Sequence, residues 1–197
     1  NFNTLKMRQK VFIINWSSMQ EAQPEILCQC YKAAHRAAVT GKEETWTLDD
    51  TKRLMGLAPE VVWQDKSLWG EYAAEARKAF YDYYKETPMP PLRPFAKEML
   101  YRLEEEGYSF YIVSMKTKEL MLKEIGASGV AALARGYFGT APGVKLTTKE
   151  LLQQVLEVIG GGREAVVLAD SDKYAQAARE LEIGFIKASE EVFKTLK

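Results

Sequence analysis

Histidine is nearly missing from this 197-residue chain; His35 is the only one. Cysteine is almost as scarce, with Cys28 and Cys30 standing two residues apart. Two thiols do not make a disulfide framework, and two thiols with one imidazole make a poor structural zinc set. They read as free thiols of a reducing compartment, the cytoplasm first. The chain opens at Asn1 rather than Met, which leaves room for a removed targeting segment and so for an organelle stroma or matrix. Net charge is absent too: 27 Lys and Arg balance 27 Asp and Glu. That balance argues against a nucleic-acid partner and against a membrane-surface partner. No apolar run nears the about 18–20 residues that a membrane span needs; the best cluster, Val11 to Ile14, has four. One further shortage matters more than these. No Asp precedes Asp49, and the first carboxylates of any kind are Glu21 and Glu25.

What is present has a clear rhythm. Residues 10–15 form a β-branched and aromatic run that predicts a buried strand, followed by a loop at 16–19. Residues from about 21 to 86 predict helices only. Pro24 suits a helix start, Ile26, Tyr31, Ala34 and Ala38 share one helical face, and Thr47 to Asp50 resembles a capping signal. Tyr72, Phe80, Tyr83 and Tyr84 recur at helical spacing and read as packing within that segment. Four prolines between Pro88 and Pro94 mark a linker. Beyond it, strands at 108–113, 136–139, 165–169 and 184–186 alternate with helices at 95–106, 116–125, 147–159 and 173–182, with Gly107 and Gly126 as stops. Alternation of this kind predicts an α/β fold: a Rossmann-like parallel sheet core at 1–19 and 88–197, with an inserted all-helical cap at 20–87.

Ligands of an open parallel sheet bind beyond the carboxyl ends of its strands. Three such ends carry polar residues: Asn15 to Met19, Ser114 to Lys116, and Asp170 to Asp172. Lys145 lies between the last two, just before a helix. A strand and loop, a helical insert, a strand ending in Ser, a lysine and a strand ending in Asp follow one another in that order. The whole resembles the haloacid dehalogenase (HAD) superfamily, in the branch of the phosphoglycolate phosphatases and β-phosphoglucomutases whose cap follows the first strand. Leu92 to Phe95 with the strand up to Ser114, and Val166 to Ser171 with Ala177 and Ile183, carry the same resemblance.

The resemblance implies a phosphoryl-transfer site built on Asp-x-Asp-Gly-Thr, in which one Asp attacks phosphorus and binds magnesium and the other serves as acid and base. Here those positions hold Asn15, Ser17, Ser18 and Met19. A carboxamide is a poor nucleophile, and a serine hydroxyl has no titratable proton near neutral pH. Magnesium wants charged oxygen ligands, and only Asp170, with Asp172 nearby, is left to supply them. The phosphate-holding half is better kept, since Ser114 and Lys145 match the residues that grip the phosphoryl group. Losing two carboxylates removes the need for the metal, so Asn15, Ser114 and Lys145 are the candidate phosphate ligands, and Asp170 and Asp172 a weak metal set.

The reading is therefore a HAD-like protein that has lost phosphatase activity and keeps a phosphate- or phosphometabolite-binding, or regulatory, role. A small phosphorylated metabolite or phosphate ion is the expected ligand, and a protein partner could use the cap. Magnesium belongs here only if a residual metal site survives. The alternative is a working HAD-type phosphoester hydrolase with a non-standard site, in which Ser17 or Ser18 attacks, or Asp170 and Asp172 orient a water. A third reading is an α/β binding module unrelated to that superfamily. It would gain if residues 16–24 ran straight into a helix. His35, on an alanine-rich helical face, reads as structural, and the glycines at 160–162 as an ordinary connection.

Overall fold

The residues Lys10–Asn15 form strand β1, and their alternation decides the architecture. Phe12 and Ile14 face one side of the sheet, and Val11 and Ile13 the other. All four are buried, so helices must cover both faces. In this computed structural model, residues 10–38, 45–55, 59–141, 144, 146–161 and 163–196 are described.

After β1 comes a 3-10 turn, Trp16–Met19. The chain then makes one antiparallel bridge, Gln20 to Leu92, before a helix begins at Pro24. It does not run straight from β1 into a helix. The helices of the following segment are α1 (Pro24–Ala38), α2 (Leu48–Met55), α3 (Pro59–Gln64) and, after a 3-10 turn at Gly70–Tyr72, α4 (Ala73–Lys85). The remainder alternates as α5 (Ala96–Glu105), β2 (Ser109–Thr117), α6 (Lys118–Ser128), β3 (Gly136–Thr140), α7 (Thr148–Ile159), β4 (Glu164–Ala169), α8 (Asp172–Glu180), β5 (Gly184–Lys187) and α9 (Glu190–Thr195). The strands form one sheet in the order β3-β2-β1-β4-β5, and every pair is parallel. This is the doubly wound α/β core that the sequence predicts.

The chain divides into two compact units, residues 1–21 with 91–197, and residues 22–90. The helical unit begins two residues later and ends three residues later than the predicted cap. The reason is local: Glu21 N–H donates to Pro91 C=O and Arg93 N–H to Met19 C=O, each at 2.8 Å, which ties both connecting strands to the sheet unit.

In the α/β unit, one sheet face packs Phe12, Ile14, Met99, Leu103, Ile112 and Met121 together; the other packs Val11, Ile13, Leu151, Leu152, Val155 and Val167. Each such side chain contributes roughly 1.5–3 kcal/mol by burial. Helix ends follow their caps. Thr147 accepts from Glu150 N–H, Ser171 from Tyr174 N–H, and Ser189 from Val192 N–H. Helix α6 does not stop at Gly126 as expected; it continues to Ser128 and ends on Gly129, whose φ of 80° suits glycine. Gly139 answers a different need, since a Cβ there would lie 2.7 Å from the Lys118 Cα. Helix α9 was not foreseen from the sequence.

The helical unit is organised around rings. Tyr31 of α1 lies 5.4 Å from Trp46, 6.0 Å from Trp63, 6.3 Å from Trp69 and 4.8 Å from Phe80, centroid to centroid. Phe80 and Tyr84 are buried, whereas Tyr72 and Tyr83, taken from the spacing as packing residues, are exposed. His35 packs against Trp46 and Trp69, consistent with a structural role. Cys28 and Cys30 are buried and unpaired with each other. Among the described residues, no helix is long and apolar enough to cross a membrane.

Candidate functional site

Register brings the candidate residues to one edge. Strands β2, β1 and β4 are neighbours, and Asn15 is opposite Val113 while Ile14 is opposite Leu168. Ser114 and Asp170 therefore each stand one residue beyond the level of Asn15, on either side of it. This is where a parallel sheet offers its carboxyl ends to a ligand.

Ser18, which stands at the glycine position of the resembled motif and is the alternative nucleophile beside Ser17, forms the hub. Ser18, fully buried in the 3-10 turn, gives its hydroxyl proton to Asp170 Oδ1 at 2.8 Å. Its oxygen accepts from Asn15 Nδ2 at 2.9 Å and from the Asp170 backbone N–H at 3.0 Å. The amide at position 15 is what this network requires. Ser18 has one proton and has spent it on Asp170, so its neighbour must donate, which a carboxylate cannot do.

Arg93 completes the group; in the sequence it stands out only as part of the Leu92–Phe95 stretch after the proline-rich linker, with no role assigned to its side chain. Its Nη1 donates to the Ser18 carbonyl at 3.1 Å and lies 3.5 Å from Asp170 Oδ2. The guanidinium stacks over Phe193 of α9 with 5.0 Å to the ring centroid. Phe193 is held in turn by Arg102, which donates to the Phe193 and Leu196 carbonyls at the end of α9. Two residues past Arg93, Phe95 takes a φ of 66°. That left-handed conformation costs about 1–3 kcal/mol in a bulky residue, so surrounding contacts must hold the turn; Lys194 Nζ sits 4.6 Å over the Phe95 ring.

The tip of β2 carries a second polar group. Ser114 Oγ, fully buried, accepts from Lys116 N–H at 3.0 Å. Lys116 Nζ reaches Glu124 of α6 at 2.6 Å and Gln20 Oε1 at 3.0 Å, and Gln20 Nε2 donates to Glu124 at 2.9 Å. Burial pulls the Lys116 ammonium below its ordinary value, partly offset by Glu124 beside it. The sequence reading passed over this triad, because Lys116 and Glu124 look like surface charges until α6 folds against the sheet.

The other predicted residues lie elsewhere. Ser17 is exposed on the turn, and its side chain joins neither group. Asp172 is exposed in the first turn of α8 and does not join Asp170. Lys145 lies outside the described residues.

No family model and no curated sequence matches the chain. Solved structures do. A haloacid dehalogenase-like hydrolase from Bacteroides fragilis aligns at a TM-score of 0.73 and 17% identity, over 89% of this chain and 85% of that one. A predicted phosphoglycolate phosphatase from Haemophilus somnus aligns at 0.69 and 17%, over 91% and 84%. A haloacid dehalogenase-like family protein from Streptococcus pneumoniae aligns at 0.63 and 14%, over 95% and 90%.

The fold is the HAD fold. Proteins of that fold imply a magnesium site at this edge, so the donor set here can be tested against the ion. Magnesium needs near-octahedral oxygen ligation with charged ligands among the six. Among the described residues, the ends of β1 and β4 offer one carboxylate, Asp170, with both oxygens engaged, by Ser18 and by Arg93, and Glu124 at the tip of β2 is paired with Lys116. Position 15 presents an amide nitrogen to its neighbour. Among the described residues, no group of three or more His, Cys, Asp or Glu side chains could hold a metal. The residues present do not fit the ion.

Proposed function

We propose that this chain is a HAD-fold protein without phosphoryl transfer that binds phosphate or a phosphorylated metabolite, without magnesium, at the carboxyl ends of β1, β2 and β4. The observation that carries this reading is the Asn15–Ser18–Asp170 network. The position of the expected nucleophile is filled by a buried amide whose N–H is committed to Ser18, and a carboxamide does not attack phosphorus as a carboxylate does. Charge supports the binding half. Asp170 is offset by Arg93 and Glu124 by Lys116, so the edge carries no net negative charge to repel an anion. Arg93 keeps guanidinium donors beyond its two contacts and is a quarter exposed, and Ser114 donates its hydroxyl proton to no described residue.

The test has two arms. With magnesium present, the purified protein should hydrolyse p-nitrophenyl phosphate and phosphoglycolate no faster than background. Turnover well above background that disappears in Asp170→Ala would replace this reading with a hydrolase of non-standard site. Without magnesium, inorganic phosphate or a sugar phosphate should raise the Tm by a ligand-linked amount, unaffected by EDTA and lost in Lys145→Ala. A flat response to phosphate removes the binding role, and sensitivity to EDTA restores a metal site.

A further inference from the structure

The oxygen atoms that Arg93 touches are of an unusual pair of kinds. One is a main-chain carbonyl of the turn after β1, and the other is the strand-end carboxylate of β4. Hard divalent cations draw on those same two classes of oxygen ligand, carbonyls and carboxylates. We propose that the Arg93 guanidinium is a built-in counter-cation that takes the place of a metal here, so that the edge is neutralised from within and closed to magnesium. The inference deepens the proposed function and rests on its magnesium-free site.

Three independent features hold Arg93 in that role. Its backbone is clamped, because its own N–H donates to Met19 C=O and the flanking Pro91 C=O accepts from Glu21 N–H. Its guanidinium has a platform, the fully buried ring of Phe193, a residue whose main-chain carbonyl accepts from Arg102. Its acceptors are fixed as well, since the Ser18 turn is tied to Asn15 and Asp170 by side-chain hydrogen bonds. A solvated surface arginine has none of these restraints. The arrangement also gives Asn15 a reason beyond lost catalysis. With one positive charge available, one carboxylate is balanced, and a second carboxylate at position 15 would leave the edge negative. The neutral amide is the partner that a fixed monovalent cation requires.

The experiment restores the second carboxylate with and without the internal cation. Magnesium binding is read by titration calorimetry and by Tm, with far-UV circular dichroism as the folding control. Wild type and Asn15→Asp should show little or no magnesium response, whereas Asn15→Asp with Arg93→Met should bind magnesium about tenfold or more tightly than Asn15→Asp alone. Asn15→Asp with Arg93→Lys, which keeps the charge, should behave like Asn15→Asp. Equal magnesium binding with and without Arg93, or a gain in the lysine variant, overturns the inference. The wild type provides a measurement that needs no variant to fold. The Asp170 carboxyl 13C resonance should stay unshifted through a millimolar magnesium titration, and a saturable shift overturns the inference. Phosphate binding is scored apart. A protein blind to both magnesium and phosphate keeps Arg93 as the counter-cation and loses only the proposed ligand.

Discussion

In the helical unit rings pack on rings, with Trp46, Trp63, Trp69 and Phe80 all around Tyr31, whereas the α/β unit fills both sheet faces with Val, Ile, Leu and Met and admits polar side chains at the carboxyl ends of its strands. The buried polar bonds of the helical unit serve packing: Trp46 Nε1 donates to Thr51, and Trp69 Nε1 to the Val62 carbonyl. The part-buried ones of the α/β unit link β1 to the end of β4 through Ser18, and β2 to α6 through Lys116. A buried polar group that lacks a partner costs about 1–3 kcal/mol, so such groups persist where a network satisfies them. The difference teaches where chemistry can live in this molecule. One unit spends its polar contacts on holding indoles in place, and the other concentrates them along a single edge.

The comparison breaks first, and hardest, at the buried ion pair. Lys116→Met leaves Glu124 charged, buried and, among the described residues, bonded only to Gln20. Breaking such a pair costs about 3–5 kcal/mol, while replacing both members by apolar residues is often neutral or better. Urea denaturation should show that loss for Lys116→Met and its recovery in Lys116→Met with Glu124→Leu. If the single variant loses less than about 1 kcal/mol, the pair behaves as a solvated one and the two polar groups of the edge are not distinct in kind.

Periodicity was enough to place most strands and helices, because the α/β unit repeats the local logic of buried β-branched runs and capped helices. Thr147, Gly107 and the run 165–169 all announce themselves in a few residues. The site was legible in part. The strand-end positions of Asn15, Ser114 and Asp170 can be counted in the sequence. The contacts of Ser18 and Arg93 cannot, because they span 152 and 75 positions. Lys116 was hidden for the same reason, since a lysine and a glutamate eight residues apart say nothing of burial until the helix closes on the sheet. The exposed Tyr72 and Tyr83 show the converse: ring spacing alone does not tell which side of a helix is covered.

Alkali should separate the two units by a smaller effect. Burial lifts the Cys30 thiol from 9.0 to about 12, and it lifts the neighbouring Tyr31 phenol above its usual 10.0 as well. The folded helical unit therefore keeps protons that the unfolded chain releases, and it loses stability as pH rises from about 9 toward 12. Lys116 has the opposite sign. Its value is depressed below 10.5, so the folded α/β unit sheds that proton first and gains stability as pH rises toward 10.5; the raised Tyr108 and Tyr137 phenols turn this back above their usual 10.0. Three of the four tryptophans lie in the helical unit. In a Trp16→Phe background, indole fluorescence reports that unit alone, and its urea midpoint should fall above pH 9 ahead of any change in sheet ellipticity. A simultaneous fall in both signals means the units do not melt separately.

The smallest expected effect sharpens the comparison from inside the helical unit, by asking whether rings alone hold it. Helix α2 has only eight residues and cannot stand without tertiary support. Its start is a reciprocal box: Thr47 Oγ1 accepts from Asp50 N–H at 3.1 Å, and the Thr47 N–H and hydroxyl donate to Asp50 Oδ2 at 2.9 and 2.8 Å. These bonds from Thr47 hold the Asp50 carboxyl below its ordinary value of 3.8. Thr51, one turn in, receives the Trp46 indole N–H, so the box sets the helix that anchors one ring of the cluster. Thr47→Ala should cost about 1 kcal/mol in the fluorescence-detected transition. Because the folded carboxyl is the stronger acid, its contribution is present above pH 3.8 and is lost as pH falls through the folded value. The cost of Thr47→Ala should therefore shrink in acid. A cost that is constant with pH would assign the effect to the bond that Thr47 Oγ1 accepts from the Asp50 N–H, and no cost at all would mean that the stacked indoles hold α2 without its cap.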